Sequence, residues 1–180
     1  MPQVITQPPH GRSRPKLGIR HRPGRFALAL FRMPLRAYHH RKGWLLGHTF
    51  ALLTHIGRRT GQSHETVTMV LRYRPEPREV VVSSAWGPEA DWVKNIRARP
   101  AVRIETGRES FEPEQQFLSA EESLSVIDEC LRRHPWRYRL IAWVLGWGDL
   151  GVEATAQDFV RTRPFVAFRP ARAPASGATT

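Results

Sequence analysis

The chain has 180 residues, of which 41% are hydrophobic, and it carries a formal net charge of +12 at pH 7. This length and apolar content suit one folded domain with a core of its own. The single cysteine, Cys130, excludes an internal disulfide and any multi-cysteine metal site, and it fits a reducing cytoplasm. Because Cys130 lies in a helical pattern, it is predicted to be a small core residue.

The positive charge is concentrated towards the N-terminal end. Of the 28 basic residues, 12 precede Glu65, the first acidic residue, and the other 16 are balanced by 16 acidic ones. Residues 1–25 are rich in proline and arginine and lack apolar periodicity, which predicts disordered or extended chain. We therefore expect a basic, largely disordered arm at 1–43, a single domain at 44–170 and a disordered tail at 171–180.

The arm has three interpretations. It combines ten basic residues with the apolar stretch FALALF at 26–31, which is too short to span a bilayer. Such a segment can attach to an anionic membrane surface, contact nucleic acid through phosphates, or serve as a solubilising tail. Nucleic acid is the least favoured partner. We expect a cytoplasmic protein, with peripheral attachment to the inner face of the membrane left open.

A basic turn between two predicted strands is the sharpest local feature. Gly57 and Gly61 enclose Arg58-Arg59-Thr60, after an apolar run at 50–56 and before another at 66–73. Glycine permits positive φ and close approach of the backbone, so such a turn can direct N–H groups and arginine side chains at an anion. A solvated hairpin turn is the alternative, and the turn alone does not decide between the two.

An amphipathic helix is predicted at 88–99. Pro88 suits a first helical turn, and the spacing places Trp92 and Ile96 on one apolar face, with Asn95 close to it. Pro100 ends the helix. Taken by itself, this pattern favours a core role for Trp92.

The remaining patterns predict strands, helices and no metal site. Five barrel strands are expected at 50–56, 66–73, 79–84, 101–105 and 111–117, and a last strand at 165–168. Ser119 and Glu122 form a capping box that begins a helix, and a final helical turn is expected at 157–163. The aromatic-rich stretch at 136–147 is either core packing or a lid over a ring-shaped ligand. The adjacent pair His39-His40 lacks a nearby carboxylate, so no metal is expected.

The turn and the helix together resemble one enzyme family. Gly57-Arg58-Arg59-Thr60-Gly61-Gln62 matches its turn G-R-K-[ST]-G-Q, with arginine where lysine is usual, and residues 92–100 match its helix W-x-x-N-[LI]-x-A-x-P. With matching strands between them, residues 44–168 resemble the deazaflavin-dependent nitroreductase family of the flavin/deazaflavin oxidoreductase superfamily. The resemblance implies a mainly β fold with flanking helices (α+β), namely a split β-barrel of the FMN-binding-like type.

The resemblance implies a reductase that uses the deazaflavin coenzyme F-420. It would transfer a hydride from the reduced coenzyme to a small electrophilic acceptor, such as a quinone, an activated double bond or a nitro compound. The sequence contains no obvious nucleophile or acid–base pair of its own, which fits an enzyme whose cofactor carries the chemistry. An FMN-dependent oxidoreductase on the same barrel and a non-catalytic deazaflavin-binding protein remain the alternatives.

The resemblance also implies the site residues. The coenzyme-binding residues are expected to be Arg58, Arg59, Thr60, Gly61, Gln62, His64, Ser83, Ser84, Trp92 and Asn95. Ser84 and Tyr138 are the candidate proton donors. His64 stands where an arginine is common, and Val67 and Met69 replace a frequent proline and aromatic residue, so the substrate of the family is not carried over.

Overall fold

The computed structural model describes Tyr38 and residues 43–84, 86–133, 135–136 and 152–171. The expected arm, apart from Tyr38 and Gly43, lies outside the described residues. So do His39-His40, Tyr138, the rest of the aromatic stretch beyond Trp136, and the tail from residue 172 onward.

The described residues form mostly antiparallel strands, with helices between and after them. The strands are β1 (Phe50–Ile56), β2 (Ser63–Arg74), β3 (Glu79–Ser83), β4 (Arg103–Thr106), β5 (Glu109–Phe111), β6 (Pro113–Phe117) and β7 (Phe165–Pro170). The α-helices are α1 (Asp91–Ala98), α2 (Ala120–Arg133) and α3 (Glu153–Thr162). Short 3-10 segments at Gly43–Thr49 and Gly87–Glu89 precede β1 and α1. None of the helices in this part of the chain is long and apolar enough to cross a membrane.

The sheet coils into a nearly closed barrel. Its strand order is β5-β4-β1-β2-β3-β7-β6, and all neighbouring strands pair antiparallel. The two edge strands, β5 and β6, are separated along the chain by Glu112 alone, so the chain itself brings the two edges of the sheet together. The fold is therefore the expected split β-barrel with flanking helices.

The strand count differs from the expectation in one place. Residues 111–117 were predicted as one strand, in a barrel of five or six, but the structure divides them at Glu112 into β5 and β6, which gives seven strands. Alternation continues across the break, so the pattern does not reveal the corner. Pro113 marks it physically, because a residue without an N–H is tolerated at the first position of an edge strand. The expected helix between barrel strands is confirmed as α1.

Two apolar clusters lie on the two faces of the sheet. The inner cluster gathers side chains from all seven strands and from α1, and it includes Val80 and Val82. The outer cluster packs α2 and α3 against β2, β3 and β7, and it includes Val81 and Cys130. Because β3 is buried on both faces, its run of three valines reads as continuously apolar rather than alternating.

The sequence predictions for α2 are confirmed. The N–H of Ser119 donates to Glu122 Oε2 at 2.7 Å, and the N–H of Glu122 donates to Ser119 Oγ at 3.2 Å. This reciprocal pair satisfies two of the N–H groups that a helix start leaves without a partner. Cys130 is buried on the same helix, as expected of a core residue.

A buried carboxylate ties three strands together. The Glu79 side chain is 3% exposed and receives Arg72 from β2 and Arg169 from β7, at 2.7 Å and 2.9 Å. Burial by itself would raise the pKa of Glu79, but hydrogen bonds from the two arginines outweigh it and hold that pKa below its usual value. This cluster joins β2, β3 and β7 on the side of the barrel that carries β6.

Candidate active site

The hairpin between β1 and β2 closes in a turn at residues 57–62. The N–H of Gly57 donates to the Gln62 carbonyl and the N–H of Gly61 to the Gly57 carbonyl, both at 2.8 Å. A Cβ at Gly57 would lie 2.7 Å from Thr60 Oγ1 and 2.8 Å from His64 Nε2, so no larger residue fits there without a shift. Gly61 adopts a φ of 69°, a conformation that favours glycine. The two glycines are therefore required by the shape of the turn.

Asn95 attaches this turn to α1. Its Oδ1 accepts hydrogen bonds from the Arg58 backbone N–H at 3.1 Å and from Arg58 Nη1 at 2.9 Å. The same Nη1 lies 3.0 Å from Asp91 Oδ1 in the first turn of α1. Asn95 is only 4% exposed, so these bonds form in a largely dry environment. The helix motif and the turn motif thus form one unit.

His55 completes the network beneath the turn. Asn95 Nδ2 donates to His55 Nδ1 at 3.1 Å, and the opposite ring nitrogen, Nε2, donates to Thr66 Oγ1 at 3.1 Å. The pKa of His55 is lowered to about 4, first by burial and then by the nearby His64, while Asp91 partly offsets the shift. The ring is therefore neutral at pH 7, in the tautomer that the two hydrogen bonds require. The sequence analysis missed this residue, although a histidine in an otherwise apolar strand was its visible signal.

The outer rim of the turn faces solvent. The exposed residues that were predicted to bind the coenzyme are Arg59, Thr60, Gly61, Gln62 and His64. The Arg58 side chain retains 25% of its exposure, although two of its contacts are made within the protein. The turn therefore presents one exposed arginine, one partly exposed arginine and several polar groups on a backbone that α1 holds in place.

Two buried serines lie at the end of β3. Ser83 is 9% exposed and Ser84 1% exposed, and neither side-chain oxygen has a hydrogen-bond partner. The Ser84 N–H donates to the Pro164 carbonyl at 3.4 Å, which continues the pairing of β3 with β7. A buried hydroxyl without a partner costs stability, so both oxygens are available to hydrogen-bond a ligand.

Trp92 is a core residue. It is 5% exposed and packs in the inner cluster beside Val93 and Ile96. Its direct contact with a coenzyme stays a prediction, as do the binding roles of the other predicted residues. Tyr138 lies outside the described residues.

A cavity of about 480 Å³ lies elsewhere on the barrel. Its lining residues are Tyr38, Gly43, Trp44, Glu105, Gly107, Arg108, Glu109 and Ser110. Tyr38 donates to the Phe50 carbonyl, at the start of β1, whereas the 57–62 turn follows the end of that strand. The cavity therefore includes none of the predicted site residues. Among the described residues, no group of three or more His, Cys, Asp or Glu side chains is placed to hold a metal ion.

Comparison with known families gives the class of this site. Residues 30–138 match the model of the F420H(2)-dependent quinone reductase family, and this span includes the 57–62 turn, α1 and the strands between them. The chain belongs to this family. It is accordingly an F-420-dependent reductase, and the resemblance to the flavin/deazaflavin oxidoreductases is confirmed.

Several solved structures are similar to this F-420-dependent reductase. An F420-H2 dependent reductase, FDR-A, is 14% identical, with 68% of this chain and 96% of that chain covered and a TM-score of 0.46. A conserved hypothetical protein from Mycobacterium tuberculosis is 15% identical, with coverage of 76% and 90% and a TM-score of 0.44. A pyridoxamine 5'-phosphate oxidase-related, FMN-binding protein from Nostoc punctiforme is 12% identical, with coverage of 85% and 83% and a TM-score of 0.38. No curated protein matches the sequence significantly.

Proposed function

We propose that this reductase binds F-420 with its phosphate end at the 57–62 turn and passes a hydride to a quinone. The observation that carries the proposal is the rigid attachment of an exposed, basic glycine turn to α1 through Asn95. A turn that is fixed in advance loses little conformational freedom when an anion binds to it. Backbone N–H groups and arginine side chains are the donors that suit a phosphate.

The residues of the turn divide into two roles. Arg58 supports the turn, because its backbone N–H and Nη1 are already bonded to Asn95. Arg59 is exposed and is free of any ion pair with the described residues, so it is the first candidate for the phosphate or the acidic tail. Thr60, Gln62 and His64 add polar contacts on the same rim.

Ser84 is the serine that suits the head end of the coenzyme; Ser83 pairs with Phe165 on the outer face of the sheet, so its predicted contact with the coenzyme stays a prediction. The buried Ser84 oxygen lacks a hydrogen-bond partner, and a polar ring edge or an acceptor oxygen would satisfy it. When bound, reduced F-420 supplies the hydride. The protein would contribute orientation, exclusion of water and a proton donor, and Ser84 and Tyr138 are the proposed donors.

A quinone is the proposed acceptor because the family is named for quinone reduction. Activated double bonds and nitro compounds remain further acceptors to test. We also propose that the basic arm holds the protein at an anionic membrane surface, where lipid-soluble quinones are found. This part rests on the charge of the arm and its FALALF stretch.

The test is a pair of titrations followed by turnover. Purified protein is titrated with F-420 and with FMN, and binding is read from the quenching of tryptophan fluorescence. We expect F-420 to bind at least ~10-fold more tightly, because its longer acidic tail adds charge-assisted contacts. Reduced F-420 is then mixed anaerobically with a water-soluble quinone, an enone and a nitroaromatic compound, and its oxidation is followed by absorbance.

The outcomes separate the alternatives. Tighter binding of FMN would favour an FMN enzyme on the same barrel. Tight binding of F-420 without oxidation by any acceptor would favour a non-catalytic binding protein. Faster reduction of the enone or the nitroaromatic compound than of the quinone would reject the quinone as the preferred acceptor.

A further inference from the structure

Arg163 is a buried arginine that the coenzyme site does not include. It follows α3 directly and is 8% exposed. Its guanidinium carbon lies 4.5 Å from the centre of the Phe159 ring, and its Nη1 donates to Thr162 Oγ1 at 3.0 Å. Its Nε has no hydrogen-bond partner. The flat face of the guanidinium is thus covered by a ring while part of its edge is unsatisfied.

The charge of Arg163 has no counter-ion within the described part of the chain. Among the described residues no carboxylate forms an ion pair with it, since the nearby Asp158 is paired with Arg161 instead. Burial lowers the pKa of the Arg163 guanidinium from its ordinary value, and the Asp158 charge offsets this only in part. Arginine is almost never fully buried without a partner, because the loss of hydration is costly.

The Ser83 hydroxyl, which has no hydrogen-bond partner, lies on the outer face of the sheet, the face that also carries Phe159. Ser83 pairs with Phe165 across β3 and β7, and the Phe165 ring packs edge-on against Phe159 at 6.0 Å. Phe165 and Phe159 both belong to the outer cluster, so side-chain alternation places Ser83 on that outer face as well.

Arg163 reaches this face from the short segment between α3 and β7. It has extended backbone, with φ of −134° and ψ of 129°, and it precedes Phe165 by two residues. Extending the alternation of β7 back by these two residues places Arg163 on the same face as Phe165 and diagonal to Ser83, a relationship that spans roughly 7–8 Å between strand neighbours and lies within reach of a long side chain. The alternation therefore directs the guanidinium, whose Nε has no hydrogen-bond partner, and the Ser83 hydroxyl to one region of the outer face.

We propose that Arg163 and Ser83 form a binding site for an oxyanion, that is, for a carboxylate or phosphate oxygen of a ligand. The guanidinium edge supplies planar N–H donors and Ser83 supplies a hydroxyl, which together match such a group. The Phe159 ring holds the guanidinium plane in a fixed orientation. The ligand would provide the negative charge that no described residue supplies to Arg163.

A purely structural arginine would behave differently. If Arg163 served the fold, its replacement by methionine would lower stability. If Arg163 instead binds an anionic ligand, the same replacement removes a buried charge that is uncompensated in the free protein, and it keeps the contact with Phe159. Replacement of buried charges by apolar residues of similar size is often neutral or stabilising. The sign of the stability change therefore separates the two roles.

The first experiment follows Arg163 itself by NMR. The Nε–H resonance of Arg163 is assigned by its absence from Arg163→Met, and the full-length protein is titrated with sodium phosphate and sodium acetate. We expect a saturable shift with either anion and none with sodium chloride at matched ionic strength. The shift should weaken in Ser83→Ala. A resonance that responds equally to chloride, or to no anion, overturns the proposal.

The second experiment measures thermal unfolding in buffer that contains only chloride. We expect the Tm of Arg163→Met to equal or exceed that of the wild type. Arg161→Met, on the exposed surface of the same helix, is the matched control. A Tm for Arg163→Met that falls well below both overturns the proposal in favour of a structural role.

The source of the oxyanion is decided with the same variant. If the anion belongs to the coenzyme, Arg163→Met should weaken F-420 binding at least ~10-fold, the loss expected for one charge-assisted contact. If it belongs to the acceptor, F-420 affinity should be unchanged and the acceptor KM should rise. The NMR titration uses no coenzyme, so its result is independent of the proposed function.

Discussion

Asn95 Oδ1 accepts two hydrogen bonds from Arg58, one from its backbone N–H and one from its guanidinium. A single buried amide therefore fixes both the path of the 57–62 turn and the direction of its first arginine. On its other side the same amide donates to His55, which sets the tautomer of that ring. The expected coenzyme-binding role of Asn95 is thus accompanied by a supporting role that the structure makes plain.

Replacement of Asn95 should destabilise the fold and weaken coenzyme binding together. Asn95→Ala leaves the Arg58 N–H and His55 Nδ1 without partners, so we expect a loss of about 2–3 kcal/mol in the free energy of unfolding. Urea denaturation measures it. Lys94→Ala is the control, because it removes only an exposed pair with Glu89 and should leave the free energy of unfolding almost unchanged. Equal losses in both variants would contradict the assigned network.

Replacement of the two arginines of the turn should affect different properties, coenzyme affinity alone for Arg59 and both affinity and stability for Arg58. Arg59→Ala should weaken F-420 binding by about 10- to 100-fold, the scale of one charge-assisted hydrogen bond, with unchanged stability. Arg58→Ala should weaken binding and also lower the free energy of unfolding, because Asn95 and Asp91 lose the guanidinium donor although Asn95 keeps the backbone N–H. The double variant should lose ~100-fold or more in affinity. Arg132→Ala, exposed on α2, is the control, and an unchanged affinity in the double variant would mean that the turn is merely solvated.

His55 should make the protein less stable as the pH falls below neutrality. Its pKa is about 4 in the folded protein against 6.5 ordinarily, so between these values the unfolded chain binds a proton that the folded one does not. The free energy of unfolding is unaffected by this proton well above pH 6.5, and it falls by about 2–3 kcal/mol as the pH is lowered to 4. The difference in unfolding free energy between wild type and His55→Gln, measured across this window, isolates it. An NMR titration of the His55 ring with a midpoint above pH 6 would contradict the assignment.

Glu79 should lower stability in the same direction as His55, as the pH falls, but at more acid pH. Its folded pKa lies below the ordinary 4.5, so its contribution is present above that pH and is lost as the pH falls through the lower folded value. Glu79→Gln leaves two arginines without their carboxylate and should cost about 3–5 kcal/mol at pH 7. We expect the difference from wild type to shrink below pH 4.5. The exposed Glu114→Gln is the control, and a constant difference across the pH range would reject the role of this charge.

Removal of residues 1–36 should abolish membrane attachment and spare the fold. Tyr38 is kept because its hydroxyl donates to the Phe50 carbonyl at 2.8 Å and its ring packs closely on Gly43. We expect the full chain to sediment with anionic vesicles in a salt-sensitive manner, since each basic residue adds about 1 kcal/mol near such a surface. The truncated chain should bind F-420 normally and remain in solution. Neutral vesicles are the control, and a full chain that ignores anionic vesicles at low salt would make the arm a passive tail.

Several features of the fold could be predicted from the sequence because they depend on local chemistry. The glycine pair at 57 and 61, the capping box at Ser119 and the helix between the barrel strands each depend on a few neighbouring residues. Such features are written within about one helical turn or one hairpin, so their patterns identify them. The division of residues 111–117 at Glu112 was not readable, because a corner between strands leaves the alternation unchanged.

The sequence by itself determined the order of the strands and helices, the basic turn, the motif helix and, through them, the class of coenzyme. Only the tertiary structure decided which of these residues hold the turn in place and which remain exposed to solvent. Asn95 meets Arg58 across 37 positions of the chain, and Glu79 meets Arg169 across 90. Hydrogen bonds between such distant positions depend on how strands and helices pack against one another. Such packing produces no periodic pattern in the sequence from which the partners could be predicted. For the same reason nothing in the sequence indicates that Arg163 is buried, and only the fold shows it.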